Sequence, residues 1–319
     1  MLNRRRFCAG LAVVPLLATR GGAAFAQDGK RPFTLVVPYT PGGSADTLGR
    51  IFADAMSIQV NERVLVDNRP GAGGTIGAAY VAAAPADGRT LLYTLGNLLM
   101  NQEFMLKDVR FRANDSLVPI ARTTILQVAI VTSATSPFND LREFLALAKR
   151  EPGKRSFAYY GDLGVLSMAS EAGVDLIRVP YKGGTPGLVD VLAGRVDIIA
   201  SSLTQAQPML KAGKLKILAI VGDERLADMP NVPTVKEVVP KFRSIDYQVV
   251  YAPKGTPKPV RDQLAQDISR VVGNADFRRN VAERGAVVSP LYGDELVAFL
   301  ESDHANISNI IKTAGIQPE

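Results

Sequence analysis

The run LVVPYTPGGSAD at residues 35–46 constrains the fold more than any other stretch of the chain. An apolar segment stops at two prolines and a Gly-Gly pair, then gives way to helical spacing at Leu48, Ile51, Phe52 and Ala55. That order predicts a strand, a tight loop and a helix N-terminus. The first turn of a helix has amides without intrahelical partners and roughly half a positive charge, and glycines let a ligand approach the backbone. Gly42, Gly43 and Ser44 therefore form a candidate anion site, with a carboxylate as the simplest occupant. A plain βα turn with Ser44 as N-cap uses the same residues without any ligand. Asp46 suits the first turn through the helix dipole alone.

The grammar recurs at once. Residues 63–67 (RVLVD) read as a strand, residues 68–75 (NRPGAGGT) as a glycine-rich loop, and residues 76–84 as a small-residue helix. Further strand patterns lie at residues 33–37, 90–95, 126–132, 156–160, 176–180, 196–201 and 216–221, with helical patterns between them. Residues 139–150 form an amphipathic pattern, 247–252 a crossing strand, and 257–272 and 294–312 helices. The alternation predicts an α/β chain in two blocks of parallel βα units. Gly71, Gly73, Gly74 and Gly77 miss the dinucleotide fingerprint by one residue, and no acid follows in Tyr93-Thr94-Leu95-Gly96-Asn97, which argues against a nucleotide.

Five motifs in order carry a closer likeness: VPYTPGGSAD at 37–46, NRPGAGG at 68–74, ADGRTLL at 86–92, VPYKGG at 179–184, and VPTVKE at 232–237 with APKGTP at 252–257. With them the chain resembles the periplasmic solute-binding proteins of tripartite tricarboxylate transporters, the Bug family. The resemblance implies a two-lobed periplasmic binding protein of type II architecture, each lobe a sheet flanked by helices. The first lobe would comprise residues 27–124 plus 253–319 and the second 125–252. It implies a small carboxylate held between the lobes and handed to the small and large membrane subunits of a transporter, with no cofactor, and a monomer is expected. In the family, the loop holding Asn68, Gly73, Gly74 and Thr75 gives amides and bound water to the carboxylate, and the positions of Thr94 and Asn97 line the cleft. Asp46 would lie beside it, orienting water or meeting a ligand amine.

On the second lobe, Tyr160 and Gly161 end one strand and Tyr181 with Gly183 and Gly184 another, so their amides and rings are expected to close over the ligand. Ser201 and Ser202 are hydroxyl donors or merely N-caps, and Lys182 is read as a solvated loop lysine before it is read as an anion partner. Residues 161–179 depart from the family, being shorter, with Val165 where a serine is usual and no histidine. A truncated second-lobe helix and fewer donors on that side are expected.

The ends and the charge exclude other classes. Residues 1–26 have a basic start, a short apolar stretch and an Ala24-Phe25-Ala26 cleavage pattern, as an export signal has; Arg4-Arg5-Arg6-Phe7 fits a twin-arginine type, with ordinary secretion open. The mature chain then lacks cysteine, because Cys8 falls in that segment, and must fold on its core alone. Setting aside the four arginines of the segment leaves 33 of the 37 basic residues against 31 acids, which gives no footprint for nucleic acid. Metal-ligand spacing and HExxH or GxSxG motifs are absent, and the sole histidine, His304, sits on a helix beside Glu301 and Asp303. A Ser-Lys pairing leaves open a hydrolase or lyase of small carboxylates, and a sensory binding protein for a receptor kinase is a third reading.

Overall fold

The computed structural model describes residues 31–105, 111–313 and 315; the expected export segment lies outside them. The strands are β1 (Phe33–Val37), β2 (Val64–Asn68), β3 (Thr90–Leu95), β4 (Leu117–Leu126), β5 (Val128–Ser133), β6 (Arg155–Tyr159), β7 (Leu176–Pro180), β8 (Ile199–Ser202), β9 (Leu215–Val221), β10 (Asp246–Pro253) and β11 (Ala286–Tyr292).

One sheet has the order β11-β4-β10-β3-β1-β2. Here β1 pairs in parallel with β2 and β3, whereas β10 runs antiparallel to both β3 and β4. The other lobe is built from β8-β5-β9 and the parallel pair β6-β7, joined by a parallel bridge between Phe157 and Ile198. Its order is therefore β7-β6-β8-β5-β9. Both lobes thus place their second, first and third parallel strands in that sequence, followed by an antiparallel strand that crosses from the other lobe. The parallel expectation holds for the βα units and not for the crossing strands.

Period-two alternation decides the faces. Leu35 and Val37 enter one core and Val36 the other; Leu91 and Tyr93 oppose Leu92 in the same way, and Val250 and Ala252 oppose Tyr247, Val249 and Tyr251. Helices Ser44–Val60, Lys258–Gly273 and Ala275–Ala282 cover the first face through Phe52, Ile268 and Phe277, while Thr75–Ala82, Gly96–Met105 and Gly293–Thr313 cover the second through Val81, Leu99 and Leu300. Phe52 stacks on Tyr93 at 5.2 Å between ring centroids, and both are fully buried. Burying each such ring contributes about 3 kcal/mol.

Strand β4 escaped the sequence reading because Pro119 breaks its pattern. The proline sits where the ladder to β10 shifts register beside Tyr251 and where β11, which pairs only with Ala121 and beyond, leaves its other side unpaired. The shortened region carries the nine-residue helix Gly164–Ala172, ended by Gly173 in the left-handed conformation. Among the described residues no helix is long and apolar enough to cross a membrane.

Candidate functional site

Loops that follow parallel strands all emerge at the carboxyl edge of a sheet, where open α/β folds bind ligands. In this chain the loops after β1 and β2 of one lobe face those after β6, β7 and β8 of the other across a cavity of about 560 Å³. Of the expected contacts, Gly43, Ser44, Gly73, Gly74, Tyr160, Tyr181, Gly183 and Gly184 line it. Tyr39, Thr40, Leu95, Leu98, Gln102, Leu126, Asp162, Ser202, Gln205 and Asp246 also line it and were not singled out as contacts from the sequence, except that Ser202 was weighed as a hydroxyl donor.

Four helices begin at the cavity wall: Ser44–Val60 after Gly43, Thr75–Ala82 after Gly74, Gly184–Leu192 after Gly183, and Leu203–Lys211 after Ser202. None of the four has a side-chain hydrogen bond at its N-cap. Away from the cavity, Asp140, Thr234 and Asn274 cap helices with their side chains, Thr234 in a reciprocal capping box with Glu237, while the helices after Arg112 and Pro257 start without a side-chain cap. A fifth N-terminus at the cavity, that of Gly164–Ala172, is occupied by the protein itself: Asp162 Oδ1 accepts the Gly164 amide at 2.9 Å. The Thr75 amide donates to the Ala72 carbonyl and the Leu203 amide to the Gln127 carbonyl at 2.8 Å, so those two helices offer an anion only the later amides of their first turns, while the helices after Gly43 and Gly183 offer the first as well.

The remaining expected contacts build the walls rather than line the cavity. Asp46 is buried, and its carboxylate accepts the Gly42 amide at 2.9 Å, Asn68 Nδ2 at 2.9 Å and Arg50 Nε at 3.1 Å. Burial alone would raise its pKa, but the bonds from Arg50, Gly42 and Asn68 outweigh that and hold it below the usual carboxylate range. Asn68 donates to the Tyr39 carbonyl as well, so Asp46 and Asn68 clamp the first loop between strands. Gly42, at φ +84°, is the turn that permits this. Thr94 is buried with its hydroxyl 3.1 Å from that of Tyr39, Asn97 donates to Asp246, Thr75 Oγ1 donates to the Ala72 carbonyl, and Ser201 Oγ donates to the Ser202 carbonyl at 3.4 Å. The Gly161 carbonyl accepts Asn101 Nδ2 at 2.9 Å, a bond from a first-lobe helix to a second-lobe loop.

We expect Asp46→Ala to weaken ligand binding about tenfold and to cost about 1–2 kcal/mol of stability, because the Gly42 amide, the half-buried Asn68 amide and the exposed Arg50 all lose one buried acceptor. Calorimetry and thermal melts of the same preparation check both numbers; unchanged affinity would show that the loop holds its shape without the clamp.

Tyr160 donates to the Ala200 carbonyl at 2.9 Å, and burial, followed by the nearby Asp162 and Asp246, drives its pKa well up. Tyr181 donates to Asp190 at 2.5 Å; burial and that acceptor push its pKa up to about 12. Both rings are thus held neutral as walls. Lys182 lies exposed at the rim. His304 is remote, 3.2 Å from Glu103 and against Phe104. No cluster of three or more His, Cys, Asp or Glu able to hold a metal occurs among the described residues.

The sequence pattern of the tripartite tricarboxylate transporter family receptor matches residues 48–316. The chain belongs to that family. Its members are solute-binding receptors rather than enzymes, which removes the hydrolase and lyase reading. A UPF0065 protein from the tcbD-tcbE intergenic region of Pseudomonas sp. (strain P51) is 34% identical over 291 residues, covering 89% of this chain and 86% of the relative. The structure of the R. palustris protein Rpa4515 with adipate is similar at TM-score 0.86 and 28% identity, over 91% of this chain and 99% of that one. The periplasmic binding protein BugD matches at TM-score 0.83 and 28% identity, again over 91% and 99%. The receptor is thus a two-lobed α/β binding protein of type II architecture.

Proposed function

We propose that this receptor captures a small organic carboxylate in the periplasm and passes it to the membrane subunits of a tripartite tricarboxylate-type transporter. The observation that carries the reading is the convergence of four helix N-termini without side-chain caps on one cavity between the lobes. Backbone amides of Gly43, Ser44 and Gly73 would take the carboxylate, with Gly74, whose own amide donates to the Gly71 carbonyl, keeping the approach open, supported by Thr75 and by the Asp46–Asn68 clamp beneath. Gly183, Gly184 and the Tyr160 and Tyr181 rings would close over the rest. The lobes divide near residue 126 and again near residue 246, because β4 and β10 pair within the large sheet while β5 pairs in the small one. A ligand that touches both lobes makes all its contacts only when they are closed, so binding favours closure, and closure is what the membrane subunits would read. Export would be directed by residues 1–26, and a monomer suffices because the cavity is complete within one chain.

A thermal-shift screen of carboxylates tests the reading. The cognate acid at about 100 times its dissociation constant adds roughly 2.7 kcal/mol of stability. A complete lack of response across mono- and dicarboxylates, amino acids and aromatic acids would remove carboxylate capture as the function.

A further inference from the structure

Two carboxyl groups line the cavity that anion capture does not use. Asp162 follows β6 through Tyr160 and Gly161 and belongs to the second lobe; Asp246 opens β10 and belongs to the large sheet. They are 7% and 8% exposed. Asp162 accepts the Gly164 amide through Oδ1, and Asp246 accepts Asn97 Nδ2 through Oδ1. Among the described residues, neither carboxyl pairs with a lysine or arginine, and no hydrogen bond to the second oxygen of either is present. Ser202 lines the cavity as well, 5% exposed, and its Oγ is buried without a hydrogen-bond partner. Lys182, at the exposed rim, is the one basic side chain among the described lining residues.

A ligand with a second carboxylate would meet this wall badly. Closing the lobes over it would put three acids together away from water, with no cation to share, and an uncompensated buried charge is strongly disfavoured. A protonated nitrogen would be matched at every point. It brings three or fewer donors, the two carboxyls offer free acceptor oxygens, and the unpartnered Ser202 hydroxyl offers another. The charges that already act on the pair are repulsive: Asp162 and Asp303 on Asp246, with the neutral Tyr39 and Tyr160 hydroxyls beside them. A ligand cation is the missing compensation.

We propose that the ligand carries, at the end away from its carboxylate, a protonated nitrogen bound by Asp162, Asp246 and Ser202, so that the receptor takes amino acids with separated charges. The proposal rests on the carboxylate capture described above and extends it. Because Asp162 and Asp246 come from opposite lobes, the nitrogen bridges them, and it holds the closed form as a neutral group of the same length does not.

Titration calorimetry with matched ligands is the test: 6-aminohexanoate, hexanoate and adipate, together with the corresponding five- and four-carbon sets. At neutral pH the amino acid of the best-fitting length should bind about tenfold or more tighter than either the monoacid or the diacid of that length. In Asp162→Asn and Asp246→Asn proteins that retain wild-type circular dichroism, the ratio of amino acid to monoacid affinity should fall to within about threefold of unity. Tighter binding of the diacid, or equal binding of the monoacid by the unmodified protein, overturns the nitrogen while leaving carboxylate capture in place. If none of the three classes binds at any length, carboxylate capture fails and the nitrogen site fails with it. The comparison among ligands uses the unmodified protein, so it decides the question even where a variant does not fold.

Discussion

Gly74→Val should weaken carboxylate binding by about 100-fold or more, whereas Lys182→Ala should stay within about threefold of wild type. Gly74 has φ +101°, a conformation that side chains rarely adopt, and a Cβ there would lie 3.4 Å from the Tyr39 hydroxyl at the cavity wall. A branched side chain both strains the turn, at about 1–3 kcal/mol, and fills the space in front of the Thr75–Ala82 amides. Lys182 is exposed at the rim, where a solvated ammonium adds little. Gly43 separates the two effects. Its backbone is extended, with φ −77° and ψ 174°, and an added Cβ would meet only the Thr40 carbonyl at 3.7 Å. Gly43→Val should therefore fold normally and still block the ligand. Calorimetry on folded variants decides the matter: complete loss in Lys182→Ala with binding kept in Gly74→Val would move recognition from the amides to the lysine.

Removing a cavity carboxyl should stabilise the empty receptor. Burial lifts the Asp162 pKa from 3.8 to about 6, with the Gly164 amide opposing. Between those values the folded chain keeps a proton that the unfolded chain has released, so the group's contribution is full below pH 3.8 and is lost as pH rises through 6. By pH 8 the difference is on the order of 2–3 kcal/mol. Asp162→Asn preserves an acceptor for the Gly164 amide and removes the charge. Its melting temperature without ligand should exceed that of wild type by about 4 °C at pH 8, and the two should converge near pH 4. Burial acts on Asp246 in the same direction, reinforced by Asp162, so Asp246→Asn should behave alike. Scanning calorimetry across that pH range would refute the account if the amide variant melted below wild type at pH 8. A wall that is destabilising when empty is what a binding site for a compensating charge looks like, since function and stability pull apart there.

The glycine loops were legible because their local requirements are severe. Gly42, Gly73 and Gly74 all have positive φ, and they open or precede helices at the positions where the sequence pattern changes period from two to 3.6. The acids were not legible on the same terms. Asp46 follows the Gly42-Gly43 pair and Asp162 follows Gly161 directly, yet the first is turned inward to Gly42 and Asn68, while the second lines the cavity. Asp246 sits where an apolar crossing strand begins, and nothing within I-D-Y-Q-V-V-Y says which side of a sheet edge it will face.

By itself the sequence determined the two blocks of βα units, the family and the amide-rich loops, because helix and strand periods and positive-φ glycines are set by neighbours a few residues away. Tertiary structure alone decided the mixed sheets, with β10 inserted antiparallel between β3 and β4, and the lining of one cavity by Asp162, Ser202 and Asp246. Those residues lie in three separate parts of the chain, and their burial and charge repulsion arise only when the crossing strands bring the two sheets edge to edge.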